Sequence, residues 1–177
     1  MIKIRESNNP DLEKMCFINN LAFGKKEGKE IVKLVKNLLT DSTAKPLLSL
    51  LAFEKNEPVG HILFTKVEVS PKKNISAMLL APLAVLPEFQ KKGIGKKLIK
   101  TGLKKLSKTG VEVVFVLGHP NYYPKCGFNQ ADDKIKAPYP IPGKNKNAWM
   151  IKKLKQINIS GKVICANALK KEKYWRE

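Results

Sequence analysis

Apolar and polar positions along this chain switch between two periods, and each switch marks an element. Residues 1–5 alternate at a period of two, which predicts a first strand. Asn9 then reads as a helix cap, with Pro10 in the first turn, and that helix reaches about Phe23. Gly24 and the lysines after it read as a loop. A second helix over about residues 27–39 sets Ile31, Leu34, Val35 and Leu38 on one face, a stripe that faces a core. Residues 47–54 form an apolar strand, 55–58 a turn, and 59–69 the partner strand of a hairpin. After a loop at 70–74, residues 75–85 form a central strand rich in Leu, Ile, Val and Ala. The helix expected over 93–109 turns Ile94, Leu98, Ile99, Leu103 and Leu106 inward and its lysines outward. Residues 111–117 are almost continuously apolar, as in a strand covered on both faces. A short helix at 121–126, a stiff Pro-rich loop at 138–143 that would line a pocket, and final strands at 148–154 and 162–168 complete the reading. Tyr174 and Trp175 pin the C-terminus. With no internal repeat or linker, 1–177 reads as a single domain.

The junction between the central strand and the helix after it carries the chemistry. It reads Gln90-Lys91-Lys92-Gly93-Ile94-Gly95-Lys96. Glycines let the main chain approach a ligand closely. The first turn of a helix offers N–H groups with no internal partner, at the positive end of the helix dipole. Together they make a seat for a phosphate. Upstream, Pro82 cannot donate to a sheet ladder, so inside a strand it marks a bulge or an edge. A bulge there would open a slot above the seat for a long ligand with a diphosphate at one end. The spacing lacks the third glycine of a dinucleotide fingerprint and does not fit a P-loop.

Gln90, Gly93 and Gly95 match the (Arg/Gln)-x-x-Gly-x-(Gly/Ala) signature, and Tyr123-Pro124-Lys125-Cys126-Gly127-Phe128 matches a later Tyr-x-x-x-Gly-Phe. On these two motifs the chain resembles the GNAT superfamily of N-acetyltransferases. The run Val116-Leu117-Gly118-His119-Pro120-Asn121-Tyr122-Tyr123-Pro124 is closest to the YhbS-like subgroup. The resemblance covers about residues 47–128. It implies an α/β fold of α+β type, with a mixed, mostly antiparallel sheet of six or seven strands flanked by about four helices. The two central strands would splay at their C-terminal halves.

The resemblance further implies transfer of an acetyl group from acetyl-CoA to a primary amine by direct attack, with no covalent enzyme intermediate and no metal. The pyrophosphate would rest on main-chain amides of Lys91, Lys92, Gly93, Ile94, Gly95 and Lys96, with Gln90 and Asn121 alongside. The pantetheine arm would pair with Leu83, Ala84 and Val85, where one N–H would serve as an oxyanion donor. Tyr123 aligns with the family's proton donor to the departing thiolate; a tyrosine merely packed under the cofactor is the plainer reading, and Tyr122 could be the one facing inward. An alkylamine is almost wholly protonated at pH 7, so a base or a water relay is needed. Glu68 and His119 are the candidates. Lys96 and Lys97, in the first helical turn, are candidates for contact with the phosphates.

Composition changes this picture little. The net charge is +19, yet all but two of the 34 basic residues are lysine. Readers of nucleic acid favour Arg forks at base edges, so a nucleic-acid partner is set aside and the charge reads as a solvated surface attractive to anions. Cys16, Cys126 and Cys165 are widely spaced, with no Cys-x-x-Cys and no His cluster pointing to zinc. No stretch reaches the roughly 18 apolar residues of a membrane span, and the charged N-terminus lacks a secretory signal. A cytoplasmic location is expected. The rival functions are a CoA-binding sensor without turnover and a basic nucleic-acid-binding protein, the second disfavoured by the shortage of Arg, and association into a homodimer is left open.

Overall fold

The structure, a computed structural model, describes residues 1–176. Its sheet grows from a hairpin. β2 (Leu48–Glu54) and β3 (Glu57–Ser70) are joined by Lys55 and Asn56, both left-handed at φ 48° and 70°. Two such residues in succession match the twist of the strands they join. β1 (Ile2–Glu6) pairs with the free edge of β2, and β4 (Ala77–Val85) with the other edge of β3. β5 (Val113–Leu117) joins β4 in parallel, and its other edge takes a late strand, Trp149–Lys153. Two short strands, β6 (Asn129–Gln130) and β7 (Ile135–Lys136), precede that one, which is therefore β8; β9 (Gly161–Ile164) follows. The order is β1-β2-β3-β4-β5-β8-β6, while β9 pairs with the far end of β3 and with β7. Among the described residues, only the β4–β5 and β7–β9 pairs are parallel. Two strands beyond the expected seven are β6 and β7, each of two residues and too short to print a pattern.

The expected first two helices are one element, α1 (Leu12–Thr40), broken only at Gly24, whose φ of 81° and ψ of 178° leave the helical region. Lys25 and Lys26 are helical, so the predicted loop shrinks to a single glycine corner. Asn8, one residue earlier than expected, precedes the opening turn. Asp11 accepts the Asn8 N–H at 2.9 Å and holds Arg5 through two hydrogen bonds of 2.7 and 2.9 Å. That grip, chiefly the Arg5 bonds, pulls the Asp11 carboxyl down to about 2. α2 (Ile94–Lys108) follows β4, and the expected short helix is a 3-10 turn, Tyr123–Cys126.

Each face of the sheet buries its own core. Against one face, Leu98 and Leu106 of α2 and Met15 and Ile18 of α1 meet Ile62, Phe64 and Met150. Against the other, Leu34 and Leu38 of α1 meet Leu63, Phe115, Trp149 and Trp175. Phe115 stacks on Trp149 with centroids 5.2 Å apart, and Trp175 meets Trp149 edge-on at 6.0 Å. Trp175 also donates to the Leu169 carbonyl at 3.0 Å. The C-terminal segment is thereby pinned, as expected.

The central strands do part. Along β3–β4, Ile62 faces Leu83 but Phe64 faces Leu80. β4 therefore carries one extra residue, a bulge at Ala81 and Pro82. Against β5, β4 pairs only at Ala77, Met78 and Leu79, whereas β5 stays paired with β8 as far as Leu117. Beyond Leu79 the two strands diverge.

Candidate active site

Where β4 leaves β5, a cleft of about 730 Å³ crosses the sheet. One mouth lies at the N-terminus of α2. There the chain leaves β4 through a 3-10 turn, Pro87–Phe89, and Gln90 donates its side-chain N–H to the Val85 carbonyl at 3.0 Å. That bond closes the corner. Lys91 and Gly93 are both left-handed, at φ 62° and 83°. Gly93 caps α2, and its carbonyl takes the N–H of Lys97 at 3.1 Å. The three amides before Lys97, those of Ile94, Gly95 and Lys96, precede the first helical bond, and helical geometry gives them no acceptor within the helix. No acidic residue occupies the first turn of α2. Lys91, Lys96 and Lys125 stand around this mouth. The corner therefore offers main-chain donors, a helix dipole and three ammonium groups to an anion.

Tyr122 leans over the same corner: a Cβ added at Gly95 would collide with its hydroxyl. Burial, with a smaller push from Cys126, raises the Tyr122 phenol to about 12, so it keeps its proton at any ordinary pH and can donate. Tyr123 lies deeper, 8% exposed, edge-on to Tyr122 at 5.1 Å and to Phe128 at 5.7 Å. Both tyrosines line the cleft, and so does exposed His119. The His119 carbonyl accepts the N–H groups of Tyr122 and Tyr123 at 3.0 and 3.3 Å, which fixes the turn that presents them.

Most of the residues expected at the site meet there. Leu83, Val85, Gln90, Lys91, Gly93, Ile94, Gly95, Lys96, His119 and Tyr123 all border the cleft. Ala84, between two lining residues, turns its side chain into the core at 2% exposure, and only its backbone is available. Lys92, Lys97 and Asn121 are exposed and lie outside the lining; the Lys92 ammonium sits 5.3 Å above the Phe89 ring. Glu68 does not reach the cleft. It pairs with Ile164 of β9, past the last β3–β4 pair, whereas the cleft borders the other end of β4. Glu68 lies four strand steps beyond Phe64, roughly 13 Å at the rise of an extended chain. The 138–143 loop also lies elsewhere, lining a separate depression with Trp149 and Lys162. The cleft is lined instead by Leu169 and Tyr174 of the C-terminal segment.

Histidine chemistry is also found where the sequence reading did not look. His61 is fully buried on β3, its Nδ1 2.9 Å from the Asn19 amide nitrogen and its Nε2 2.9 Å from Ser49 Oγ. Asn19 donates to Nδ1, so the ring proton sits on Nε2 and is given to Ser49. Desolvation pushes this imidazole down to about 3, and it stays neutral. A neutral donor without solvent access ties α1 to β2 and β3 and performs no proton transfer at the cleft. The period-two reading missed it because β3 is buried on both faces there.

Residues 12–128 match the acetyltransferase (GNAT) family. The uncharacterized N-acetyltransferase YjhQ of Escherichia coli is 46% identical over 139 residues, covering 76% of this chain and 77% of that protein. The structure of the E. coli GNAT family N-acetyltransferase YhbS in complex with CoA superposes with a TM-score of 0.83 at 24% identity, covering 96% and 92%. A GNAT family acetyltransferase from Brucella melitensis in complex with acetyl-CoA gives 0.76 at 27% identity, covering 95% and 97%. A sheet that parts at a bulged strand, with an amide corner at the start of the next helix, therefore has its counterpart in sequence, and the chain belongs to the acetyltransferase (GNAT) family.

Proposed function

We propose that this chain, acting as one catalytic domain, moves an acetyl group from acetyl-CoA to a primary amine by direct attack within a ternary complex. One observation carries the reading: the cleft opened by the β4 bulge begins directly above the unpaired amides at the start of α2. The Brucella protein bound to acetyl-CoA supports the choice of cofactor. In this reading the amides of residues 91–96 and the Lys91 and Lys96 ammonium groups hold the pyrophosphate. The pantetheine arm lies along the backbone of Leu83, Ala84 and Val85, where pairing with β5 has ended.

The neutral amine attacks the thioester carbonyl, forming the C–N bond and an oxyanion. A backbone N–H of the bulged strand stabilises that charge in a site with little water. Collapse breaks the C–S bond. Tyr123 gives its proton to the departing thiolate, and the nitrogen loses its proton to His119, directly or through water.

The test follows free thiol release from acetyl-CoA with a panel of amines. Wild type should release thiol only with an amine present. Tyr123→Phe should lower kcat by about 10²-fold or more, the usual scale of acid catalysis, with CoA affinity unchanged. Equal kcat in the variant would remove Tyr123 as the acid. CoA binding without turnover of any amine would favour a sensor over an enzyme.

A further inference from the structure

The second mouth of the cleft differs sharply in chemistry from the first. The cleft passes through the gap between β4 and β5, so its two ends open on opposite faces of the sheet. Across from α2 it is walled by Ile31 and Leu34 of α1, Leu117 at the end of β5, and Leu169 and Tyr174 of the C-terminal segment. Ile31 and Leu34 share a helical face, and Leu169 and Tyr174 are held in place by the buried Trp175. Among the described residues lining the cleft, none carries a carboxylate.

Recognition of a polycation needs fixed negative charge, because an ammonium group leaving water without a partner costs several kcal/mol. Among the described residues, the carboxylates near this mouth do not supply it, and Glu172 of the C-terminal segment is paired with Arg176 at 3.2 Å. Glu30 is joined to Lys173 at 2.6 Å, which sits beside Tyr174. Glu27, one turn before Ile31, is exposed and outside the lining. The chain's net charge of +19 repels polycations at longer range.

We infer that the acceptor is a monoamine carrying an apolar group, which rests on the transferase reading above. The apolar group fills the mouth between α1 and the C-terminal segment, and the amine enters neutral, its nitrogen turned toward the gap. Polyamines and other polycations are poor acceptors.

Thiol release with 2-phenylethylamine and with spermidine tests this in the wild-type chain. 2-Phenylethylamine should have a kcat/KM at least tenfold higher. Ile31→Glu, at a half-buried position, should narrow that ratio by tenfold or more while CoA affinity, read by calorimetry, stays unchanged. Glu27→Gln should leave the rate with 2-phenylethylamine as it is. A spermidine rate equal to or above that of 2-phenylethylamine, or a tenfold loss with Glu27→Gln, would overturn the apolar-acceptor inference and leave the transferase reading standing. No thiol release with any amine would overturn both. The wild-type comparison decides the matter even if Ile31→Glu fails to fold.

Discussion

Gly95 and Tyr122 show how closely the anion corner is fitted. A methyl group at Gly95 would run into the Tyr122 hydroxyl, while the next ring atom lies at an ordinary 3.6 Å. Gly95→Ala should therefore weaken CoA binding at least tenfold, about 1.4 kcal/mol. Placed on a Tyr122→Phe background, the same substitution should cost distinctly less, because the colliding oxygen is gone. Calorimetric titration of the four proteins gives the coupling, and strictly additive losses would show that the two side chains do not meet. The glycines of this corner were legible in the sequence because they mark positions where backbone must come close to something. Which tyrosine faces the cleft was not legible, since Tyr122 stands just before the 3-10 turn that Tyr123 opens, where no regular period sets a side chain's direction. Both turn out to line it, Tyr122 over the corner and Tyr123 deeper.

At the level of elements, α1, β2 and β3 are tied by Asn19, Ser49 and His61, and this knot has a pH signature. Unfolded, His61 takes a proton near its ordinary value of 6.5; folded, it resists until about 3. As pH falls below 6.5 the unfolded state gains a proton that the folded state refuses, so stability falls, by up to about 1.4 kcal/mol per pH unit from this group. Asp11 adds a smaller loss in the same direction between 3.8 and about 2. Denaturant midpoints measured from pH 7 to pH 4 should decline, and His61→Gln should flatten the decline whatever it does to stability at pH 7. An equally steep decline in the variant would contradict the assignment. Element type was readable from periodicity, and Pro82 announced the bulge because proline cannot serve a ladder. Boundaries were less readable. Gly24 alone breaks α1, and the lysines after it, polar enough for a loop, are good helix formers.

Over the whole molecule, the sheet separates two chemistries, with lysines and main-chain amides on one face and an apolar mouth on the other, joined through one gap between strands. That gap was foreseeable from a proline in a buried strand. The outer wall was not, because Leu169 and Tyr174 are far in sequence from α1 and are brought there by Trp175 settling against Trp149. For the same reason Glu68 seemed eligible as a base: its strand is the right one, but only the packed sheet shows that its end is the wrong one. Calorimetric titration of the intact chain with coenzyme A addresses the gap and its amide corner together. Saturable heat at about one CoA per chain, weakening as salt screens the lysines around the phosphates, is the outcome this arrangement requires. A flat titration at low salt, with protein shown to be folded, would contradict it.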